Sequence, residues 1–220
     1  MPFPSTSVLD NFNRANGGPP ASASWSPLYT AEADGFEVIT NEAAPNSNAT
    51  DNSDYWNPTT FGPDSEAFLT AVVGDTGGEM GVFVRVQGIT SDGIFDCYAI
   101  LPDFSASPDS WIIYRSDNGA FTQLGAALSS TNVGAGDGIG LEVIGNSLQG
   151  YRKPSGGSWA TIGTARSDTT YPGAGYIAMY GSRTVMRLDD FGGGTVVAAA
   201  VVWPLPWLVM SQAVSRAATY

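Results

Sequence analysis

Two near-copies of one short phrase bracket the patterned part of this chain, Asp10-Asn11-Phe12 at its start and Asp189-Asp190-Phe191 at its end. Between them run short segments rich in β-branched and aromatic residues, each closed off by Gly, Pro, Asn or Asp, which is the rhythm of strands and tight turns. A phrase that opens such a run and returns as its last strand predicts an all-β sandwich of two antiparallel sheets, with the terminal strands lying side by side. The length agrees, since 220 residues suffice for one such domain with a core of its own.

The strands can be placed. Glu66 to Val73, Glu79 to Gln87, Gly93 to Leu101 and Trp111 to Arg115 follow one another, and Val82, Val84 and Val86 alternate with Phe83, Arg85 and Gln87. That alternation predicts one buried face and one that is at least partly wet. Ile139 to Ile144, the turn residues Gly145 and Asn146, and Leu148 to Lys153 form the clearest hairpin. Trp159 to Ile162, Gly175 to Tyr180 and Thr184 to Phe191 complete the set, with Met186 and Leu188 facing the core.

Composition removes several kinds of chemistry. The chain has no histidine, so the usual proton shuttle and the commonest metal ligand are both missing. A net charge of −12 repels a phosphate backbone over most of the surface, which argues against nucleic acid as a partner. Cys97 is the lone cysteine, so stability has to come from packing rather than from an internal disulfide. On its strand, between Phe95 and Ala99, it reads as a small buried hydrophobe. The residues from Met1 to Ser5 lack the basic and apolar regions of a classical signal peptide.

The character changes after Phe191. Gly192-Gly193-Gly194 reads as a flexible joint, and Val196 to Met210 is apolar throughout, interrupted by Pro204 and Pro206. A spanning helix needs roughly 20 apolar residues without such breaks, so membrane insertion is disfavoured. The division expected is a sandwich over residues 1–194 and an apolar C-terminal tail over 195–220. Val201, Trp203, Leu205, Trp207, Leu208 and Met210 would form an exposed patch larger than a monomer tolerates, and we expect them to dock on a partner or on another copy of the chain.

Several phrases, taken in order, resemble the concanavalin A-like lectin/glucanase superfamily, particularly laminin-G-like domains of bacteriophage and bacterial surface proteins. They are Asp10-Asn11-Phe12-Asn13-Arg14-Ala15-Asn16-Gly17 followed by Trp25-Ser26, then Tyr55-Trp56 with Phe61-Gly62-Pro63-Asp64-Ser65-Glu66. Gly138 to Asn146 and the closing Leu188-Asp189-Asp190-Phe191 continue the series. The resemblance spans about Ser7 to Gly194 and implies a jelly-roll sandwich with one concave sheet. It implies no activity, because one fold hosts sugar binders, hydrolases and architectural domains.

Candidate sites follow from residue chemistry. Aromatic faces stack on pyranose rings, which singles out Tyr55, Trp56, Trp111 and Trp159 as a sugar platform, with Trp159, after a glycine-rich turn, the most exposed. Tryptophan in a sandwich is more often core than platform. Asp51-Asn52-Ser53-Asp54 offers hard oxygen ligands, so Asp51 and Asp54 are the candidate calcium ligands, although a calcium cage needs six or more oxygens. No other cofactor is expected. Glu32, Asp34 and Glu37 fit an E-x-D-x-x-E pattern that could place a hydrolytic carboxylate pair on one strand face. Ala33-Asp34-Gly35 reads instead as a solvated turn.

These readings converge on a non-enzymatic structural or decoration protein of a virion, such as a capsid, tail or fibre component. Its sandwich would be displayed at the virion surface or outside the cell, with its partners being other virion proteins or copies of itself. The alternative is a carbohydrate-binding module that uses the concave sheet, and a third reading is a glycoside hydrolase working through Glu32, Asp34 and Glu37.

Overall fold

The computed structural model describes residues 2–29, 35–48, 51–73 and 77–197. The docking residues Val201, Trp203, Leu205, Trp207, Leu208 and Met210, together with Glu32 and Asp34, lie outside them. The described residues form two antiparallel sheets of eight strands each.

In the first sheet, β14 (Ala160–Ser167), β13 (Ser147–Lys153), β12 (Gly138–Ile144), β6 (Ser65–Val73), β16 (Arg187–Thr195), β4 (Glu42–Pro45) and β3 (Phe36–Ile39) lie in that order, and β1 (Val8–Asp10) pairs with β16. The second sheet runs β10 (Ala120–Gln123), β9 (Ser110–Asp117), β8 (Ile94–Asp103), β7 (Met80–Ser91), β15 (Tyr176–Gly181), β5 (Asn52–Trp56) and β2 (Trp25–Pro27). Its remaining strand, β11 (Ser129–Ser130), pairs with β9.

The echoed phrases meet as the sequence predicts, since Asp10 is the register partner of Phe191 in the β1–β16 pair. Asp10 also explains its own motif. Its carboxylate accepts bonds from the Phe12 amide (2.8 Å), from both Arg14 terminal nitrogens (2.7 and 2.9 Å) and from Trp25 Nε1 (2.8 Å). Burial alone would raise the pKa of Asp10, but these donors outweigh it and hold the group below its ordinary value.

Between the sheets, Leu69, Ile139, Leu141, Val143, Leu188 and Phe191 meet Val82, Val84, Ile100, Trp111, Ile113 and Met179 in one continuous core. Met186 and Leu188 are fully buried there, as expected.

One expectation is overturned. Gly192, Gly193 and Gly194 are not a joint but paired residues of β16, opposite Phe68, Ala67 and Glu66 of β6. Their glycines are demanded by close approach, because a Cβ on Gly192 would come 2.2 Å from Phe68 Cζ and one on Gly193 would come 2.3 Å from the Glu66 carbonyl oxygen. The ladder continues past them, with Val196 buried and its amide bonded to the Asp64 carbonyl (2.9 Å).

Candidate functional site

A sheet of alternating strands that packs one face inward ordinarily wets the other. The second sheet departs from this. Phe83, Phe95, Cys97, Ala99, Leu101, Ala178 and Tyr180 form a second buried cluster on its outer face, with the half-buried rings of Tyr29, Tyr55, Tyr114, Phe121 and Tyr176 packed around it.

Register assembles the face. Tyr55 of β5 lies opposite Ala178 of β15, which lies opposite Phe83 of β7, then Ala99 of β8, then Tyr114 of β9. The row therefore alternates ring, small, ring, small, ring across five strands, with Ala178, Phe83 and Ala99 fully buried and the half-buried Tyr55 and Tyr114 at its two ends.

The rings are organised around Phe83. Its centroid lies 5.6 Å from that of Tyr180, 5.7 Å from Phe121 and 5.9 Å from Phe95, within the range of favourable aromatic pairs. Tyr55 and Tyr176 make a tilted pair at 4.8 Å on one flank, and Tyr114 meets Phe121 edge-on at 6.1 Å on the other. Tyr29, from the segment after β2, stands edge-on to Phe95 at 5.7 Å.

Carboxylates gather at the end of the face where β7 begins and β8 ends. Tyr180 donates its hydroxyl to Asp51 Oδ1 (2.5 Å), Glu79 and Asp103 are paired through a backbone β-bridge, and Asp103 Oδ1 accepts from the Ser105 amide (2.8 Å) and hydroxyl (2.5 Å). Burial, reinforced by Asp103 and Asp51, pushes the Glu79 carboxyl up to about 7. Burial likewise raises Tyr29, Tyr114 and Tyr180, with Asp51 acting on Tyr29 and Tyr180 and Glu79 acting on Tyr114 and Tyr180. The face thus presents carbon-rich rings beside negative charge.

Of the four aromatics singled out from the sequence, the structure places only Tyr55 on this face. Trp111 is fully buried in the inner core, with its Nε1 donating to the Thr131 carbonyl (2.7 Å), and is no platform. Trp56 points to the opposite side of β5 from Tyr55 and stands edge-on to Trp25 at 5.3 Å. Trp159 is half-buried on the outer face of the other sheet, edge-on to Phe3 at 5.0 Å and to Phe68 at 5.9 Å.

Asp51 and Asp54 are also parted. Asp51 is exposed beside Tyr180, whereas Asp54 is buried beneath Gly35, its Oδ2 accepting from the Phe36 amide (3.2 Å) and its Oδ1 lacking a protein partner. Three residues apart on extended chain, they face opposite sides and do not share an ion. Among the described residues no group of three or more acids and cysteines is arranged to hold a metal. Glu37 lies in β3, on the other sheet from the aromatic face.

Sequence reasoning missed Tyr29, Tyr114, Phe121 and Tyr176. The available signal was that apolar residues fall at both parities of β7 and β8, as in Tyr98-Ala99-Ile100-Leu101, which marks strands covered on both sides.

No protein-family model matches the sequence, and no curated protein matches it. Solved structures do match its fold. The carbohydrate-binding module CBM66 of Bacillus subtilis is 13% identical, with 78% of this chain and 91% of that one covered and a TM-score of 0.54. The CBM2 module of the evolved Dit protein of Lactobacillus casei BL23 phage J-1 is also 13% identical, covering 86% and 94% at a TM-score of 0.51. The exoplasmic/lumenal domain of VIP36 in its Ca2+/Man-bound form is 9% identical, covering 90% and 92% at 0.55.

A GH43 protein, BlXynB from Bacillus licheniformis, matches over 84% of this chain but only 38% of its own length, at a TM-score of 0.51 and 10% identity. The fold is therefore a two-sheet antiparallel jelly-roll sandwich like that of these solved domains.

Proposed function

We propose that this chain is a non-catalytic carbohydrate-recognition domain that holds a glycan against the outer face of its second sheet. The observation that carries the reading is the set of half-buried tyrosines, Tyr29, Tyr55, Tyr114 and Tyr176, ranged around the buried cluster of that face. Pyranose rings present flat C–H faces that pack on aromatic rings, and neighbouring carboxylates accept bonds from sugar hydroxyls. The half-buried tyrosines offer the first and Asp51, Glu79 and Asp103 the second. The named carbohydrate-binding modules and the mannose-bound VIP36 domain support this use of the fold.

The experiment is retention on a glycan array, repeated with Tyr114→Ala and Tyr55→Ala. Specific retention by the native chain, lost at least tenfold in either variant while Trp159→Ala keeps it, is the expected result. Retention that ignores both tyrosines removes the assignment.

A place on a virion is the second part of the reading, supported by the likeness to a module of a phage Dit protein and by an acidic surface of net charge −12. In it the apolar stretch from Val201 to Met210 anchors the domain to neighbouring virion proteins or to copies of itself. Mass spectrometry of purified particles should find the chain in them. Its absence there would leave a free-standing binding module.

A further inference from the structure

We propose that the cleft between the two sheets beside β14 is a second ligand site, which takes a single hexuronate ring by its carboxylate. The cleft shares no residue with the aromatic face, so it stands or falls apart from the reading given above.

The cleft opens at the edge of the sandwich. The second sheet brings Ser129 of β11, followed by Thr131, and the first brings Arg152 of β13 with Ala160 and Thr161 of β14. It encloses about 200 Å³, below the ~300–1,000 Å³ of drug-sized sites. That is room for one sugar ring rather than for a chain.

Arg152 supplies the charge. Its guanidinium is held through one nitrogen, Nη2, which donates to the Asp137 carboxylate (2.7 Å) and to the Asn132 carbonyl (3.0 Å). Its Nε is buried with no partner, and among the described residues Nη1 has no acceptor. A buried donor without an acceptor is rare in native proteins, and it points to a ligand that brings one.

Asp137 does not cancel this charge within the cleft. It is 4% exposed, forms no part of the walls, and its carboxylate also accepts from the Gly134 (3.0 Å) and Ser155 (2.7 Å) amides. The walls therefore carry one cation and no acid, in a chain where acids outnumber bases by 21 to nine. The planar guanidinium suits a carboxylate.

The rest of the lining suits a sugar ring. Ser129 Oγ and Thr131 Oγ1 lie 3.1 Å apart, and since only one of them donates to the other, the second keeps a proton for a ligand oxygen. Pro154 and Ile162 add apolar surface for the C–H face of a ring. Acetate leaves these groups unused. Glucose leaves the guanidinium unanswered.

The test follows the backbone amide resonances of Ser129, Thr131 and Thr161 in the full chain, titrated with sodium glucuronate, glucose or sodium acetate at pH 7 and fixed ionic strength. Saturable shifts with glucuronate, at an affinity at least tenfold above that of either other probe, are expected. Arg152→Gln should weaken glucuronate binding at least tenfold. So should Ala160→Phe, which fills the cleft from an exposed position opposite Arg152 in the β13–β14 register without removing the Asp137 ion pair. Arg183→Gln, the same change of charge at an exposed arginine outside the cleft, should bind like the native chain.

Thermal melts establish folding, and if Arg152→Gln does not fold, Ala160→Phe alone decides. Glucose or acetate binding as tightly as glucuronate overturns the ligand class. Native affinity in Ala160→Phe, an equal loss in Arg183→Gln, or no saturable shift at all overturns the site. A blank glycan array bears on the aromatic face and leaves each of these outcomes readable.

Discussion

Phe3 lies flat on Tyr151, with ring centroids 3.9 Å apart and planes within 5°. The contact fastens the N-terminal segment across the outer face of the first sheet, where Trp159 and Phe68 close the sides of the socket and Gly140 forms its floor. Behind it, Glu66 Oε1 accepts from the amides and hydroxyls of both Ser5 and Thr6 at 2.6 to 3.2 Å. A Cβ on Gly140 would come 2.4 Å from Phe3 Cζ, so Gly140→Ala should expel the ring. Phe3→Ala should cost about 3 kcal/mol, as loss of a nearly buried aromatic does, and Gly140→Ala a similar amount. The two should be strongly non-additive in denaturant unfolding, since each removes the same contact. Additive costs would show that the socket does not act as a unit.

Arg85 gathers three loops at one end of the sandwich. It is 1% exposed, and its guanidinium donates to the carbonyls of Pro63 (2.6 Å), Tyr171 (2.8 Å) and Gly145 (2.7 Å). Arg85→Met removes the donor from all three carbonyls, of which that of Tyr171 is buried, and should destabilise by about 1–3 kcal/mol. Arg85→Lys should recover only part of this, because an ammonium cannot reproduce the planar fork. Equal melting temperatures for the lysine variant and the native chain would contradict the assignment.

The sandwich was legible because its signals are local or symmetric. The Asp-x-Phe echo gave the Asp10–Phe191 pairing, and Gly145-Asn146 between alternating runs gave the β12–β13 hairpin. The candidate site was mostly hidden. Tyr55, Phe83, Ala99, Tyr114 and Ala178 come from five strands scattered along the chain, and only register sets them in one row. Trp111 drew notice as a platform for its chemistry alone, yet the parity of its strand turns it into the core. The run Gly192 to Gly194 misled for a related reason. Glycine marks close approach as readily as flexibility, and nothing local says that Phe68 lies against it.

Asp54 should give the fold an alkaline weakness. Burial pushes its carboxyl up to about 7, against partial relief from the Phe36 and Ala21 amides. A carboxyl whose folded pKa is raised binds its proton more tightly in the native state. Its contribution to stability therefore falls as pH rises from about 4 to about 7, by about 4 kcal/mol for a shift of this size at a buried site. Asp54→Asn, which keeps an acceptor for the Phe36 amide and cannot ionise, should stabilise the protein at pH 8 and change little at pH 4. Urea unfolding at the two pH values measures this, and a stabilisation independent of pH would point to packing rather than ionisation.

Cys97 should prove inert while the protein is folded. Its side chain is completely buried in the outer-face cluster, and burial first, then the neighbouring Asp96, raises its thiol well above the ordinary value, outweighing the Ser116 amide. Thiolate is the reactive form, so both access and ionisation oppose attack. Labelling by a thiol-specific chromogenic reagent at pH 8 should proceed at the rate of opening of this face rather than at the rate of a free thiol. It should become immediate in denaturant. Because Cys97 lies beneath the aromatic face, a saturating glycan should slow labelling further. Protection by ligand that persists in Tyr114→Ala at unchanged affinity would place the glycan somewhere other than over this cluster.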